Sequence, residues 1–161
     1  MKRLVGLLTA VVLCLTVLAS AALADSAEYA STQAVADKLD ELEISYAVTG
    51  VTQGNEFLRI PYGDYAITLI FDEGLELTGI RVWDIITYDD ADYYEVLKAC
   101  NALNNAFRFA KFFADESDNT VTCGVDIIHR DQDVDDIVLE AVLRVLSMLD
   151  SAEEALAAYR Q

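Results

Sequence analysis

The sequence predicts an α+β fold, in which an antiparallel β-meander of about five strands packs against helices in the order α-β-β-β-β-α-β-α. Two observations favour it. Between residues 44 and 88, β-branched and aromatic residues are interrupted by three short polar turns. Segments with apolar residues at helical spacing precede and follow this region. A sheet with one apolar face needs such helices to cover it.

The first predicted element is an amphipathic helix from about Thr32 to Glu43. Val35, Leu39 and Leu42 recur there at helical spacing. Ser31 precedes the segment and is available as its N-cap. A helix of this length is marginal in water by itself, so we expect it to lie on the sheet.

Four strands are predicted between Ile44 and Tyr88. Turn sequences at 53–55, 62–64 and 72–74 join them into a meander. Pro61, the only proline, is expected at a strand end, where its missing N–H costs little. The third strand has an apolar face that should lie in the core, formed by Tyr65, Ile67, Leu69 and Phe71.

A long helix is predicted next, from about Ala91 to Ala114, with Asp89 and Asp90 as its caps. After a polar turn, a fifth strand is expected from Thr120 to Ile128 and a final helix from about Val134 to Tyr159. The core candidates are Val96, Leu97, Cys100, Leu103, Phe107 and Ala110 on the long helix, and Ile137, Ala141, Leu143, Val145, Met148 and Leu149 on the final one.

The first 24 residues have the pattern of a secretory signal peptide. Lys2 and Arg3 are followed by an apolar run from Leu4 to Leu18, and small residues end at Ala24. The run is shorter than the ~20 residues that a bilayer span requires. We therefore expect cleavage near Ala24, a single domain over residues 25–161 without a membrane span, and a secreted, periplasmic or cell-envelope location in a bacterium.

The charge of the chain limits its partners. The formal net charge is −17, and removing the leader, with its two basic and no acidic residues, makes it −19. This field repels nucleic acid, and the sequence shows no basic stripe with interleaved aromatic residues as a local exception. We expect no nucleic-acid partner. The acidity is interpreted as a solvated surface, with a cationic partner or an ion sink as the alternative.

Cys100 and Cys123 are the only cysteines after the leader. Helical spacing for Cys100 and strand alternation for Cys123 place both sulfur atoms in one helix–sheet interface. An oxidising compartment permits a disulfide between them. Two buried free thiols that fill space as small apolar groups are the other interpretation, and the one we favour.

No residue pattern demands catalysis or a cofactor. His129, the sole histidine, has no nucleophile signature beside it and is predicted to be a solvated loop residue. Asp131, Asp133 and Asp135 imitate the opening of a calcium loop, but other residues occupy its glycine and bidentate-glutamate positions. We predict no enzyme activity, no cofactor and no metal. A calcium-binding extracellular module and a hydrolase of unrecognised type are the alternatives.

A candidate interaction surface comprises Arg59, Arg81 and Trp83. If Ile80 and Val82 face the helices, Arg81 and Trp83 lie on the opposite side of the sheet. An exposed indole beside a guanidinium is suited to protein recognition. Ordinary packing on the sheet is the other interpretation, and the one that we favour from the sequence.

Polar side chains at the end of the long helix have a structural interpretation. Asn104, with Asn101 and Asn105 near it, is predicted to fasten neighbouring backbone at the helix–sheet seam rather than to bind a ligand.

Apolar residues and asparagines recur at a characteristic spacing after the turn Asp72 to Gly74, and they are Leu97, Asn101, Leu103, Asn104, Lys111 to Phe113, Val121 to Ile127, Val142, Leu146, Leu149 and Asp150. Over about Val35 to Leu156, this spacing resembles that of the YbjN-type proteins. The resemblance implies the fold of type III secretion chaperones and a sensory-regulatory or chaperone-like role without catalytic residues. It also suggests a homodimer. Those chaperones act in the cytoplasm, so with a leader present we predict an exported protein-interaction module whose protein partner is unknown.

Overall fold

The structure, a computed structural model, describes residues 26–130 and 133–161. The predicted signal peptide over residues 1–24 lies outside this part of the chain. Within the described ranges, no helix is long and apolar enough to cross a bilayer. In chain order the main elements are α1 (Ala30–Glu41), β1 (Ala47–Thr52), β2 (Asn55–Tyr62), β3 (Tyr65–Asp72), β4 (Leu77–Thr87), α2 (Tyr93–Ala106), β5 (Lys111–Asp115), β6 (Thr120–Ile128) and α3 (Val134–Leu156).

The strands form one antiparallel sheet in the order β1-β2-β3-β4-β6-β5. The first four are the predicted meander, and the turns after β1 and β2 contain Gly54 and Gly63 at φ angles of 81° and 56°. Such positive φ values suit the tight turns of hairpins. The chain then leaves through α2 and returns as the β5–β6 hairpin, with β6 against β4 and β5 at the edge.

One face of the sheet and the three helices enclose the core. The register aligns Leu58 with Leu69 and Leu69 with Ile80, and all three side chains are fully buried. Ile67 and Phe71 are buried on the same face, as predicted for the third strand. The helices contribute Val35, Leu39, Val96, Leu103, Val138, Val142, Val145 and Leu149 to the same hydrophobic cluster. The opposite face, called the outer face below, has none of these helix residues on it.

The α+β class is confirmed, with six strands where about five were predicted. The extra strand is β5, because the helix predicted to reach Ala114 ends at Ala106. Phe112, predicted to be helical, instead pairs with Cys123 across the β5–β6 ladder. Pairing with β6, the next strand along the chain, overrides the helical pattern of these residues.

Two details at the other helices also differ from the predictions. Ser31 is not the N-cap of the first helix, because α1 begins at Ala30 and Tyr29 precedes it. The carboxylate of Glu56 on β2 binds the chain just before the helix: the N–H groups of Glu28 and Tyr29 donate to it at 2.7 and 3.0 Å. On α3, two of the residues predicted for the core, Ile137 and Leu143, are exposed at 38% and 66%.

Candidate functional site

The candidate surface lies on the outer face of the sheet. Ile80 and Val82 on β4 are fully buried in the core, so the intervening Arg81 and the following Trp83 occupy the outer face. Trp83 is 44% exposed. The orientation predicted for these two residues therefore agrees with the structure.

The strand register gathers three basic residues into one line. Arg59 on β2 is opposite Thr68 on β3, which is opposite Arg81 on β4; Gly124 on β6 lies between Arg81 and Lys111 on β5. We call Arg59, Arg81 and Lys111 the cationic row. Successive members are two strand positions apart, or about 9.5 Å, and the row spans about 19 Å.

The row concentrates positive charge on an acidic molecule. Of the 11 Lys and Arg residues, two lie within residues 1–24, so the row holds three of the remaining nine. Among the described residues, Arg81 forms an ion pair with Asp126, whereas neither Arg59 nor Lys111 has a carboxylate within 4.0 Å. The expectation that no basic stripe exists is therefore wrong. The stripe was invisible in the sequence because its members come from three separate strands.

Hydrogen bonds hold the Arg81 side chain flat against the sheet, and two glycines leave room for it. Its Nη1 donates to the backbone oxygens of Ile80 and Val125, each at 2.9 Å, and Nη2 donates to Asp126 Oδ1 at 2.6 Å. A Cβ atom at Gly124 would lie 3.0 Å from Arg81 Cδ, and one at Gly79 would lie 3.4 Å from Nη1. Glycine at both positions leaves room for the guanidinium over the strands. The side chain is thus fixed in place and remains 24% exposed.

Apolar side chains lie on both sides of the cationic row. Phe113 is 45% exposed and pairs with Thr122, on the same side of the row as Trp83. Phe57 and Ile70 are half-buried on the other side. Beside Arg81, a groove of about 380 Å³ is bounded by Phe109, Lys111, Phe113 and Asp126. The surface thus combines cations with aromatic groups, the side chains most often decisive at protein interfaces.

Sequence reasoning found Arg59, Arg81 and Trp83 but missed Lys111 and Phe113. Both were assigned to the tail of the long helix. The signal was the period-two alternation from Lys111 to Asp115, where exposed residues alternate with buried Phe112 and half-buried Ala114. Five residues are too few for this alternation to outweigh the helical pattern before them.

Asn104 performs the structural role predicted for it. Its Nδ2 donates to the Phe112 oxygen at 2.8 Å, and its Oδ1 accepts from the Phe112 N–H at 2.7 Å. The amide thereby satisfies the side of β5 that has no neighbouring strand. Asn101 and Asn105 are exposed. This contact ties α2 to the strand that supplies Lys111 and Phe113.

A second concave region lies near the start of α3. A cavity of about 270 Å³ is lined by acidic residues, His129 and Ser31; the acids are Glu73, Glu76 and Asp133. His129 is only 8% exposed, so its prediction as a solvated loop residue is wrong. It is buried because the ladder continues past β6, with the His129 N–H donating to the Glu76 oxygen at 3.0 Å.

The structure does not assemble the three candidate calcium ligands into a site. Asp131 lies outside the described residues. Asp133 precedes α3 at a φ of 44°, and Asp135 lies in the first turn of that helix. In the parts of the chain that are described, no three Asp, Glu, His or Cys side chains are placed to hold a metal ion.

Cys100 and Cys123 are both buried free thiols in the structure. Both belong to the hydrophobic cluster between helices and sheet, where the sequence placed them. Burial raises the pKa of Cys100 to about 11 and that of Cys123 to about 12. Thiols held in the protonated form are poor nucleophiles and poor metal ligands, so their environment suits packing.

The described geometry defines a class of protein: a helix-backed antiparallel sheet whose free face is cationic and aromatic. The chain belongs to the YbjN family, described as putative bacterial sensory transduction regulators, whose model matches residues 31–159. This confirms the resemblance seen in the sequence. No curated protein sequence shows significant similarity to the chain.

Solved structures support the same fold. A chain of the HopA1–SchA chaperone–effector complex aligns with a TM-score of 0.55 at 14% identity, over 76% of this chain and 92% of that chain. The crystal structure of YbjN, a putative transcription regulator from E. coli, aligns with a TM-score of 0.52 at 13% identity, over 74% and 88%. At these identities the comparisons establish the architecture.

Proposed function

We propose that this protein is an exported, non-catalytic, protein-binding module of chaperone-like or regulatory type that binds its partner on the outer face of the sheet. The single observation that carries the proposal is the outer face itself, where exposed Trp83 and Phe113 adjoin the cationic row. A bound partner would remove these aromatic rings from water, which is favourable at about 25 cal/mol per Å² of apolar surface.

A binding role fits the chemistry of the described residues better than catalysis does. Both thiols are protonated by burial, the opposite of an activated nucleophile. His129 is buried, and no hydroxyl or thiol partner bonds its Nε2 among the described residues. The HopA1–SchA structure offers a parallel, since a protein of this architecture occurs there in a chaperone–effector complex.

Export is the second part of the proposal, and it rests on the leader pattern at residues 1–24. The test is expression of the full chain in a bacterium with an intact secretion pathway, followed by mass spectrometry of the envelope and extracellular fractions. A polypeptide beginning near Asp25 in those fractions supports export. A full-length chain confined to the cytoplasm contradicts it.

The binding surface is tested by capture from the native envelope and extracellular fractions. The bait proteins are the mature chain, a W83S/F113S variant, and a Y94S variant as the aromatic control. Tyr94 is 73% exposed on α2, away from the outer face. We expect at least one protein to be captured by the wild type and Y94S but lost with W83S/F113S. An identical set of captured proteins for all three baits refutes the outer face as the binding surface.

A further inference from the structure

We infer that the partner segment on the outer face is an extended acidic peptide whose carboxylates pair with the cationic row and whose apolar side chains lie against the flanking aromatic rings. This inference rests on the proposed function and adds the chemistry of the partner. It is argued from the charge and spacing of Arg59, Arg81 and Lys111.

The first argument is charge complementarity. Within the described residues, Arg59 and Lys111 have no carboxylate partner, and Arg81 has one, Asp126. Lys111 Nζ donates to the backbone oxygen of Asn104 at 3.3 Å, which leaves further N–H groups of this ammonium for a carboxylate. A carboxylate beside Arg59 or Lys111 therefore forms a new charge-assisted contact. Arg81 contributes differently: its bonds to two backbone oxygens fix its position, so it is a rigid cation at the centre of the row.

The second argument is the length of the row. A peptide in the extended polyproline II conformation advances about 3.1 Å per residue, so about six residues cover the 19 Å from Arg59 to Lys111. This helix has three residues per turn, so carboxylates three residues apart lie on the same side at a spacing of about 9.3 Å, which matches the spacing of successive cations. Apolar residues between them would meet Trp83 and Phe113 on one side and Phe57 and Ile70 on the other.

The third argument is specificity. The chain carries 28 acidic residues against 11 basic ones, so an acidic peptide is repelled by most of the molecule and attracted at the cationic row. Nucleic acid is less suitable, because its phosphates continue beyond the row into acidic surroundings. Two copies of this chain meeting outer face to outer face would place one cationic row against another, which is repulsive.

The probe is a synthetic, fluorescein-labelled peptide of about nine residues with glutamate at every third position and proline, leucine or phenylalanine between, so that it favours the polyproline II conformation. Binding to the mature chain is measured by anisotropy. The test variant is R59Q/K111Q, which leaves the structurally bonded Arg81 intact. The matched control is K38Q/K98Q, which removes the same charge from helix surfaces; Lys38 and Lys98 pair with residues on their own helices.

We expect the Kd to rise about tenfold in R59Q/K111Q and to change by less than about twofold in K38Q/K98Q. Replacing each glutamate of the peptide by glutamine should abolish detectable binding to the wild type, and raising the salt from about 50 to about 300 mM should weaken it. Equal binding of the glutamine peptide, or equal Kd values for the two variants, overturns the inference. So does tighter binding of a thymidine oligonucleotide or exclusive self-association of the chain.

Failure of this inference is distinguishable from failure of the proposed function. If W83S/F113S loses a captured native protein while the acidic peptide does not bind the wild type, the surface is correct and the partner chemistry is wrong. If the capture is also unchanged, the outer face is not the binding surface at all.

Discussion

Replacing Asn104 by alanine should loosen the β5 edge and lower the stability of the whole domain. The amide makes two hydrogen bonds, at 2.8 and 2.7 Å, to the backbone oxygen and N–H of Phe112. Phe112 is only 1% exposed, so its backbone groups lose partners that water can replace only in part. At about 1 kcal/mol for each net hydrogen bond, we expect N104A to lose about 2 kcal/mol of unfolding free energy.

The measurement is thermal unfolding of the mature chain by circular dichroism, with N105A as the control. Asn105 is the next residue on the same helix and is exposed, so helix propensity and composition change equally in both variants. For a domain of about 140 residues, 1 kcal/mol corresponds to about 3 °C in melting temperature. N104A should therefore melt about 6 °C below the wild type, and N105A within about 1 °C of it.

Hydrogen exchange provides a local readout of the same change. Amides of Lys111–Asp115 that bond to β6 should exchange faster in N104A than in N105A, because the strand loses its attachment to α2. Equal melting temperatures and equal exchange for the two variants would show that the amide does not hold the strand, and the reasoning would be refuted.

Three further predictions concern the outer face, the thiols and α3. G124V should lose about 1 to 3 kcal/mol of unfolding free energy, measured by urea unfolding, because a Cβ at this position lies 3.0 Å from Arg81 Cδ. The same substitution in an R81A background should lose much less. An equal loss in both backgrounds would contradict the contact. Burial raises the pKa of Cys100 to about 11 and that of Cys123 to about 12, because the folded state favours the neutral thiols. Their contribution to the unfolding free energy is complete at pH values below the ordinary thiol pKa. That stability should fall as the pH rises from about 9 through those values, and a thiol reagent at pH 8 should label the cysteines only in denaturant; labelling in the native state, or none in denaturant without reductant, would contradict two buried free thiols. L143K should change the unfolding free energy by less than about 0.5 kcal/mol, because Leu143 is 66% exposed. A loss above about 2 kcal/mol would show that Leu143 is buried in the core.

Local patterns were sufficient for much of the fold. The meander was predictable because alternation, turn glycines and the strand face of Ile67, Leu69 and Phe71 all depend on residues close in sequence. The prediction for β6 was also correct, since Thr120–Ile128 follows a polar turn and alternates in the same way. The structural role of Asn104 was also predictable from local sequence, because an Asn side chain near a helix end commonly bonds to neighbouring backbone groups.

Errors arose where pairing with another segment of the chain decides the local conformation. The β5 segment looked helical because Phe107 and Ala110 continue the apolar stripe of α2. In the structure this segment pairs with β6 instead, and Phe112 lies opposite Cys123 in the ladder. His129 looked solvated because its neighbours are polar, and the backbone bond to Glu76 that helps bury it joins residues 53 positions apart (129 − 76).

By itself, the sequence determined the α+β class, the family, the acidity and the leader pattern, because each depends on composition or on neighbouring residues. Only the tertiary structure decided where charge accumulates on the sheet. Arg59, Arg81 and Lys111 are separated by 22 and 30 positions (81 − 59 and 111 − 81), and strand register alone aligns them. A shift of one residue in any strand would turn its basic side chain to the other face, so the surface depends on the register that core packing selects.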